Sequence, residues 1–304
     1  MKKIISETAI VRRNHWIEEI RKLSGHFGND SGRLEAELSK EIKEQGVSTL
    51  IDHLRLCGDI PESYSHDSSE EKLYSKYTDS LLAEAFKAIG LKSLVLKERS
   101  DAADVEVFAA SYTFVADAKS FRLSRTAKNA KDFKVNQMDG WKRGKHYAMV
   151  VCPIYQLPTR SSQIYEQAST RNVCIFTYSH LAMLISVSLL EGKVKAEELV
   201  HEIFRTVAAL NPSKEAIPYW LAVNKTMLQL SEKMEELWKI EKQAAVESIA
   251  VAREIALTFL TNERAKIMSM SHDEALQELV RVHKLDSRIQ TVRRVTDNGL
   301  LEIR

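Results

Sequence analysis

The sequence predicts an α/β protein with a mainly helical C-terminal region. Three observations carry that reading. Short apolar or alternating runs cluster between residues 104 and 177, as strands do. Apolar residues at helical spacing precede them. No glycine falls between Gly192 and Gly299, and helical patterning fills that stretch.

Taken in order, the chain begins with helices. Ile17, Ile20 and Leu23 recur at helical spacing, as do Leu34, Leu38 and Ile42. Gly58 to Ser69, with Pro61 and several Ser and Asp residues, reads as a loop. A helix from about Glu70 to Ile89 follows, with Tyr74, Tyr77, Leu81, Ala85 and Ala88 as its inner stripe and Gly90 as its C-cap. Asp104 to Phe108 and Tyr112 to Phe121 suit strands, and Ala148 to Ile154 and Val173 to Thr177 read as further, buried strands. Ser161 to Thr170 and His180 to Leu190 read as helices. Pro212 and Pro218 bracket a turn, after which one long helix is expected from about Tyr219 to Met268. Ser271 and Glu274 form a capping box that starts another. The expected division is a core over residues 1–210 and a helical region over 211–304.

Composition bounds the function. Apolar residues make up 44% and charged residues 28% of 304, which suits a well-packed soluble fold. A net charge of only +2 argues against a globally basic coat for nucleic acid, so an anionic partner must meet a local patch. Cys57, Cys152 and Cys174 are far apart and form no CxxC pair, which suggests neither a disulfide framework nor a zinc site. Met1 to Arg13 lacks a signal-peptide core, and Leu181 to Leu190 is too short to span a bilayer. The expected location is cytoplasmic.

The chemistry concentrates between Asp104 and Lys119. Strand side chains alternate faces, so Asp117 and Lys119 point the same way. If Ala109 to Tyr112 form a turn, Phe108 faces Thr113, and the same register sets Asp104 opposite Asp117. Two carboxylates side by side repel unless a positive charge separates them. Mg²⁺ is a hard cation that takes one or two carboxylates and fills its remaining positions with water and phosphate oxygens. Such a site can polarise a phosphodiester and activate water, with Lys119 orienting the water or stabilising phosphate charge. A DxK triplet is also a common strand ion pair. Here Phe114, Val115, Ala116 and Ala118 surround Asp117 with apolar residues, where an unpaired charge is costly. Glu84 lies beside the apolar face of its helix, either as a third acid or as a boundary residue reaching solvent.

A basic run follows at once. Arg122, Arg125, Lys128, Lys131, Lys134, Lys142, Arg143 and Lys145 face only Asp132 and Asp139 as acids. Asn129, Asn136 and Gln137 are interleaved. Lys and Arg neutralise phosphates, and Asn, Gln and Arg can read base edges. A charge run is more often a solvated helix face, but this one directly follows a candidate phosphodiesterase site in a near-neutral protein.

The run from Val115 to Lys134, VADAKSFRLSRTAKNAKDFK, resembles the central segment of the HindIII-type type II restriction endonucleases of the PD-(D/E)xK superfamily. The Tyr74 to Phe86 helix and the chain length also fit. The resemblance implies a restriction-endonuclease-like mixed central sheet flanked by helices. It implies a Mg²⁺-dependent homodimer that cuts both strands of double-stranded DNA at a palindrome, AAGCTT cut after the first A. A cognate DNA methyltransferase would be a functional partner without a stable complex. Position by position, Asp117 and Lys119 become the D and K of DxK, Asp104 the first acid and Glu84 the helical acid. Asp104 and Asp117 would ligate the metal. Arg122, Arg125, Lys128, Asn129, Lys131, Asp132 and Lys134 become the DNA-binding residues, with Asn129, Lys131 and Asp132 as base or groove contacts. The motif's proline is absent, since Ala103 precedes Asp104. Asp101 and Glu106 therefore stay open as the first acid. Residues 1–210 would form the catalytic core, and 211–304 would serve dimerisation or DNA embrace. A structure-specific repair nuclease of the same fold and a non-catalytic DNA-binding protein are the competing readings.

Overall fold

A computed structural model describes residues 3–96, 102–125 and 129–294, and five strands and twelve α-helices lie among these described residues. The N-terminal pattern becomes α1 (Glu7–Arg21), α2 (Phe27–Gln45) and α3 (Val47–Leu56). Ile17, Ile20, Leu34, Leu38 and Ile42 are buried as their spacing predicts, whereas Leu23 lies beyond the end of α1 and is exposed. Helix α4 (Ser69–Ile89) starts on Ser68, whose hydroxyl accepts from the Glu71 amide, and ends on Gly90 with φ of 113°. Only glycine suits that end, because a Cβ there would also stand 2.8 Å from the Cβ of Lys193.

Strands β1 (Lys92–Val95), β2 (Val105–Phe108), β3 (Thr113–Ala118), β4 (Tyr147–Cys152) and β5 (Val173–Thr177) form one sheet in sequential order. The first three pair antiparallel, and β3, β4 and β5 pair parallel. The sheet is thus mixed and flanked by helices, consistent with the restriction-endonuclease-like fold. Parallel neighbours need crossover connections. Helix α5 (Val135–Trp141) lies in the first crossover and α6 (Gln163–Arg171) in the second. Helix α4 packs on β1, β2 and β3. Strands β4 and β5 are fully buried apart from the half-exposed Tyr147, which explains their continuous apolar runs.

Helices α7 (Tyr178–Glu191), α8 (Lys193–Ala208), α9 (Ala216–Leu228) and α10 (Met234–Met268) follow, then α11 (His272–Val282) and α12 (Leu285–Arg293). The single helix expected from Tyr219 to Met268 is two helices, α9 and α10, with a break after Leu228. Pro218 sits in the first turn of α9 rather than in a turn between elements. Proline is tolerated there because the amides of a first turn have no helical partner. The Ser271–Glu274 capping box starts α11 as read.

The structure divides into two compact units, Met1–Ala256 and Leu257–Arg304. Residue 211 is therefore not a packing boundary. Helix α9 buries Ala216, Tyr219, Val223 and Met227, and the Tyr219 hydroxyl accepts from the Ile175 amide of β5 at 2.6 Å. All three cysteines are buried and free. Among the described residues, no helix is long and apolar enough to cross a membrane.

Candidate active site

The β2–β3 hairpin has the register that its sequence predicts. Phe108 pairs with Thr113 and Val105 with Ala116. One step further along the same register, Asp104 and Asp117 face each other. Strand β3 holds Asp117 beside Val150 of β4, where its side chain is 1% exposed. Lys119 follows the strand, with its amide donating to the Val151 carbonyl at 2.8 Å. The Tyr178 hydroxyl donates to the Lys119 carbonyl at 2.9 Å. The lysine backbone is thus pinned from both β4 and α7, and its ammonium pairs with Asp117 Oδ2.

A third acid comes from α4. One carboxylate oxygen from each of Asp79, Asp104 and Asp117 lies within 4.8 Å of the others. Lys76, one turn before Asp79, places its Nζ 3.4 Å from Asp79 and 3.0 Å from Asp104. Glu84 does not join this cluster. Its carboxylate pairs with Lys87 one turn along at 2.8 Å, as a boundary residue does. Glu106 turns to Lys145 at 3.5 Å, and Asp101 lies outside the described residues. Asp79 and Lys76 were missed from the sequence. A signal existed: Leu82, Phe86 and Ile89 form a second buried stripe on α4, and Asp79 continues it toward the N-terminus. An acid in a buried stripe marks a purpose.

Electrostatics in the cluster are strained. Burial pushes the Asp117 carboxyl up to about 6, against the opposing pull of Lys119 and with a further push from Asp104. Burial, then the Asp104 charge, hold Asp79 well above the usual carboxylate range. Asp104 ends below that range. Burial raises it, but donation from the Asp117 carboxyl and the Lys76 ammonium outweigh that. Burial lowers Lys119, yet Asp117 more than compensates and keeps it firmly cationic. Three facing carboxyls cannot all ionise without another cation. Oδ1 of the buried Asp117 has no hydrogen-bond partner, and Oδ2 meets only the Lys119 ammonium. An all-carboxylate donor set with an unsatisfied buried oxygen fits a hard divalent ion such as Mg²⁺.

The basic run divides. Arg122 is 5% exposed, and its guanidinium donates to the carbonyls of Pro61, Tyr64 and Ser65 and pairs with Glu71 at 3.2 Å. It fastens the 58–69 loop. Lys142 and Lys145 also pair internally, with Asp139 and Glu106. A short 3₁₀ turn (Ala130–Phe133) and α5 carry the second half of the run. Asn129 and Asp132 cap that turn reciprocally, and Asp132 also pairs with Arg125 at 2.8 Å. Lys131 and Lys134 are exposed, with the Lys134 ammonium 5.2 Å from the Trp141 ring centre. Lys128 lies outside the described residues.

The family described as HindIII restriction endonuclease matches residues 13–296. The chain belongs to that family. It is 32% identical over 252 residues to the type II restriction enzyme HindIII of Haemophilus influenzae, covering 80% of this chain and 82% of that protein. Membership of the HindIII family makes this chain a site-specific nuclease. The match runs through α4, the β2–β3 hairpin and the basic run, so the acidic cluster lies wholly inside the HindIII-family region.

Proposed function

We propose that this type II restriction endonuclease hydrolyses both strands of double-stranded DNA at a palindromic six-base site with Mg²⁺, and that the site is AAGCTT, cut after the first A. The observation that carries the metal-dependent chemistry is the buried meeting of Asp79, Asp104 and Asp117 beside Lys119. The six-base target and the cut position rest on the family resemblance alone.

Asp104 and Asp117 would hold the Mg²⁺, with Asp79 as the third available carboxylate. A metal bound there would polarise the scissile phosphate and lower the pKa of a ligated water. Lys119, fixed by its backbone contacts, keeps its ammonium against the cluster and stabilises charge that develops on the phosphate. The apolar walls of β3 and β4 exclude bulk water and strengthen each of these interactions. Lys131 and Lys134 would meet backbone phosphates, and Arg125, Lys128, Asn129 and Asp132 would complete the DNA contact. Asn129 and Asp132 also cap their turn, so their part is to position neighbouring groups as well as to touch the groove. The two-fold symmetry of a palindrome matches a two-fold homodimer. A cognate methyltransferase would protect the cytoplasmic host DNA without forming a stable complex with this chain.

Digestion of plasmid and phage DNA, with Mg²⁺ and with EDTA, followed by end mapping, tests this reading. Discrete fragments with Mg²⁺ only, ending within AAGCTT after the first A, are expected. Discrete ends at another sequence would overturn the target and leave the chemistry standing. Cutting that follows DNA structure rather than sequence would favour a repair nuclease. No cutting by folded protein would favour a DNA-binding protein without catalysis.

A further inference from the structure

Lys76 is the second cation of the cluster and stands outside the DxK motif. Its ammonium touches Asp104 at 3.0 Å and Asp79 at 3.4 Å, so it occupies the acids that Lys119 leaves uncompensated. The two lysines differ in freedom. Lys119 is 12% exposed, with its backbone clamped by Val151 and Tyr178. Lys76 is 21% exposed and also lines an open cleft of about 300 Å³ between α2 and the end of β1. Phe27, Gly28, Gly32 and Leu96 form walls of that cleft, and a Cβ added at either glycine would meet nothing within 4 Å. Glu35 lines the same cleft and offers the ammonium another carboxylate.

We infer that Lys76 is a displaceable internal cation, which holds Asp79 and Asp104 together in the metal-free enzyme and swings into the α2 cleft when a divalent ion takes Asp104. The inference rests on the metal-dependent reading above. A divalent ion and an ammonium cannot share the same face of Asp104, and Lys76 lines a cleft that can receive it. Lys76 therefore acts as a positioning residue that sets how much divalent cation the enzyme needs. It competes with the metal while keeping the acids pre-arranged for it.

Amine acetylation read by peptide mass spectrometry, on the full-length DNA-free protein, tests the displacement. Lys76 should be acetylated slowly without divalent cation and severalfold faster with saturating Mg²⁺. Lys119 should stay protected in both conditions. Asp117→Asn should abolish the Mg²⁺ effect on Lys76. In parallel calorimetry, Lys76→Gln should bind Mn²⁺ roughly tenfold more tightly than wild type, because one competing charge is gone. Lys76→Arg, which keeps the charge, should bind close to wild type. It also stands in if the glutamine variant fails to fold. Mg²⁺ binding with no change in Lys76 acetylation would overturn the inference, as would weaker Mn²⁺ binding by folded Lys76→Gln. Absence of any divalent binding, or binding that Asp117→Asn leaves intact, would instead overturn the metal reading itself.

Discussion

Asp79 and Glu84 lie on the same helix, five residues apart, and only one reaches the sheet. Their contrast gives a sharp test. Asp79→Asn should reduce Mg²⁺-supported cleavage on the order of 10–100-fold, the range seen when groups supporting a metal site are lost. Glu84→Gln should stay within about twofold of wild type, because an ion pair at the helix boundary contributes little. Initial cleavage rates measured side by side decide it, and the reverse ranking would return Glu84 to the site. Arg122 gives a second test. Its removal leaves three loop carbonyls and Glu71 without their partner. Arg122→Ala should lower unfolding stability in urea by about 3 kcal/mol. The salt dependence of DNA binding by the folded fraction should not change. These two residues also mark where the sequence was hard to read. The DxK pair and Asp104 were legible because strand alternation and a short turn fix who faces whom. The partners of Glu84 and Arg122 were not legible because helix rotation and loop packing depend on contacts distant in sequence.

The segment between β3 and β4 is the element proposed to hold DNA. Lys131 and Lys134 remain exposed there while Arg122, Lys142 and Lys145 pair internally. Lys131→Ala and Lys134→Ala should each reduce the slope of log affinity against log salt by about 1. An unchanged slope in fluorescence-anisotropy titrations would make them solvated charges only. The contact between α7 and α9 carries a pH signature. His180 is buried, with Nδ1 2.6 Å from the Thr177 hydroxyl and Nε2 3.0 Å from Asn224 Oδ1. Burial lowers its pKa to about 4 from the ordinary 6.5. The unfolded chain therefore takes up the proton first as pH falls. The stabilisation from neutral His180 is complete above pH 6.5 and is lost between 6.5 and about 4. That loss amounts to at most about 3 kcal/mol. Urea midpoints across this window should fall for wild type and fall less for His180→Gln. Equal pH profiles would remove His180 from the account. The same elements show the limits of pattern reading. Strand β1 was missed because Lys92 to Val95 is a short, half-exposed strand at the sheet edge. The break between α9 and α10 was missed because Leu228 to Lys233 contains neither glycine nor proline.

At the scale of the molecule, the α/β class was legible in the strand and helix patterns, whereas the mixed sheet was implied by the family resemblance. Strand β2 alternates, whereas β3, β4 and β5 are buried along nearly their whole length because helices cover them. At residue 211 composition changes while packing does not. Helix α9 still seals β5 through Tyr219. A near-neutral chain concentrates its chemistry by folding three acids and two lysines into one interior patch. The account stands on that patch being a metal-dependent phosphodiesterase centre. The most direct test is conversion of supercoiled plasmid to linear DNA in Mg²⁺ by wild type and by Asp117→Asn, with DNA binding measured on the same samples. Wild type should linearise the plasmid, and the variant should bind DNA equally well without cutting either strand. A folded Asp117→Asn protein that cuts at a rate close to wild type would contradict the account.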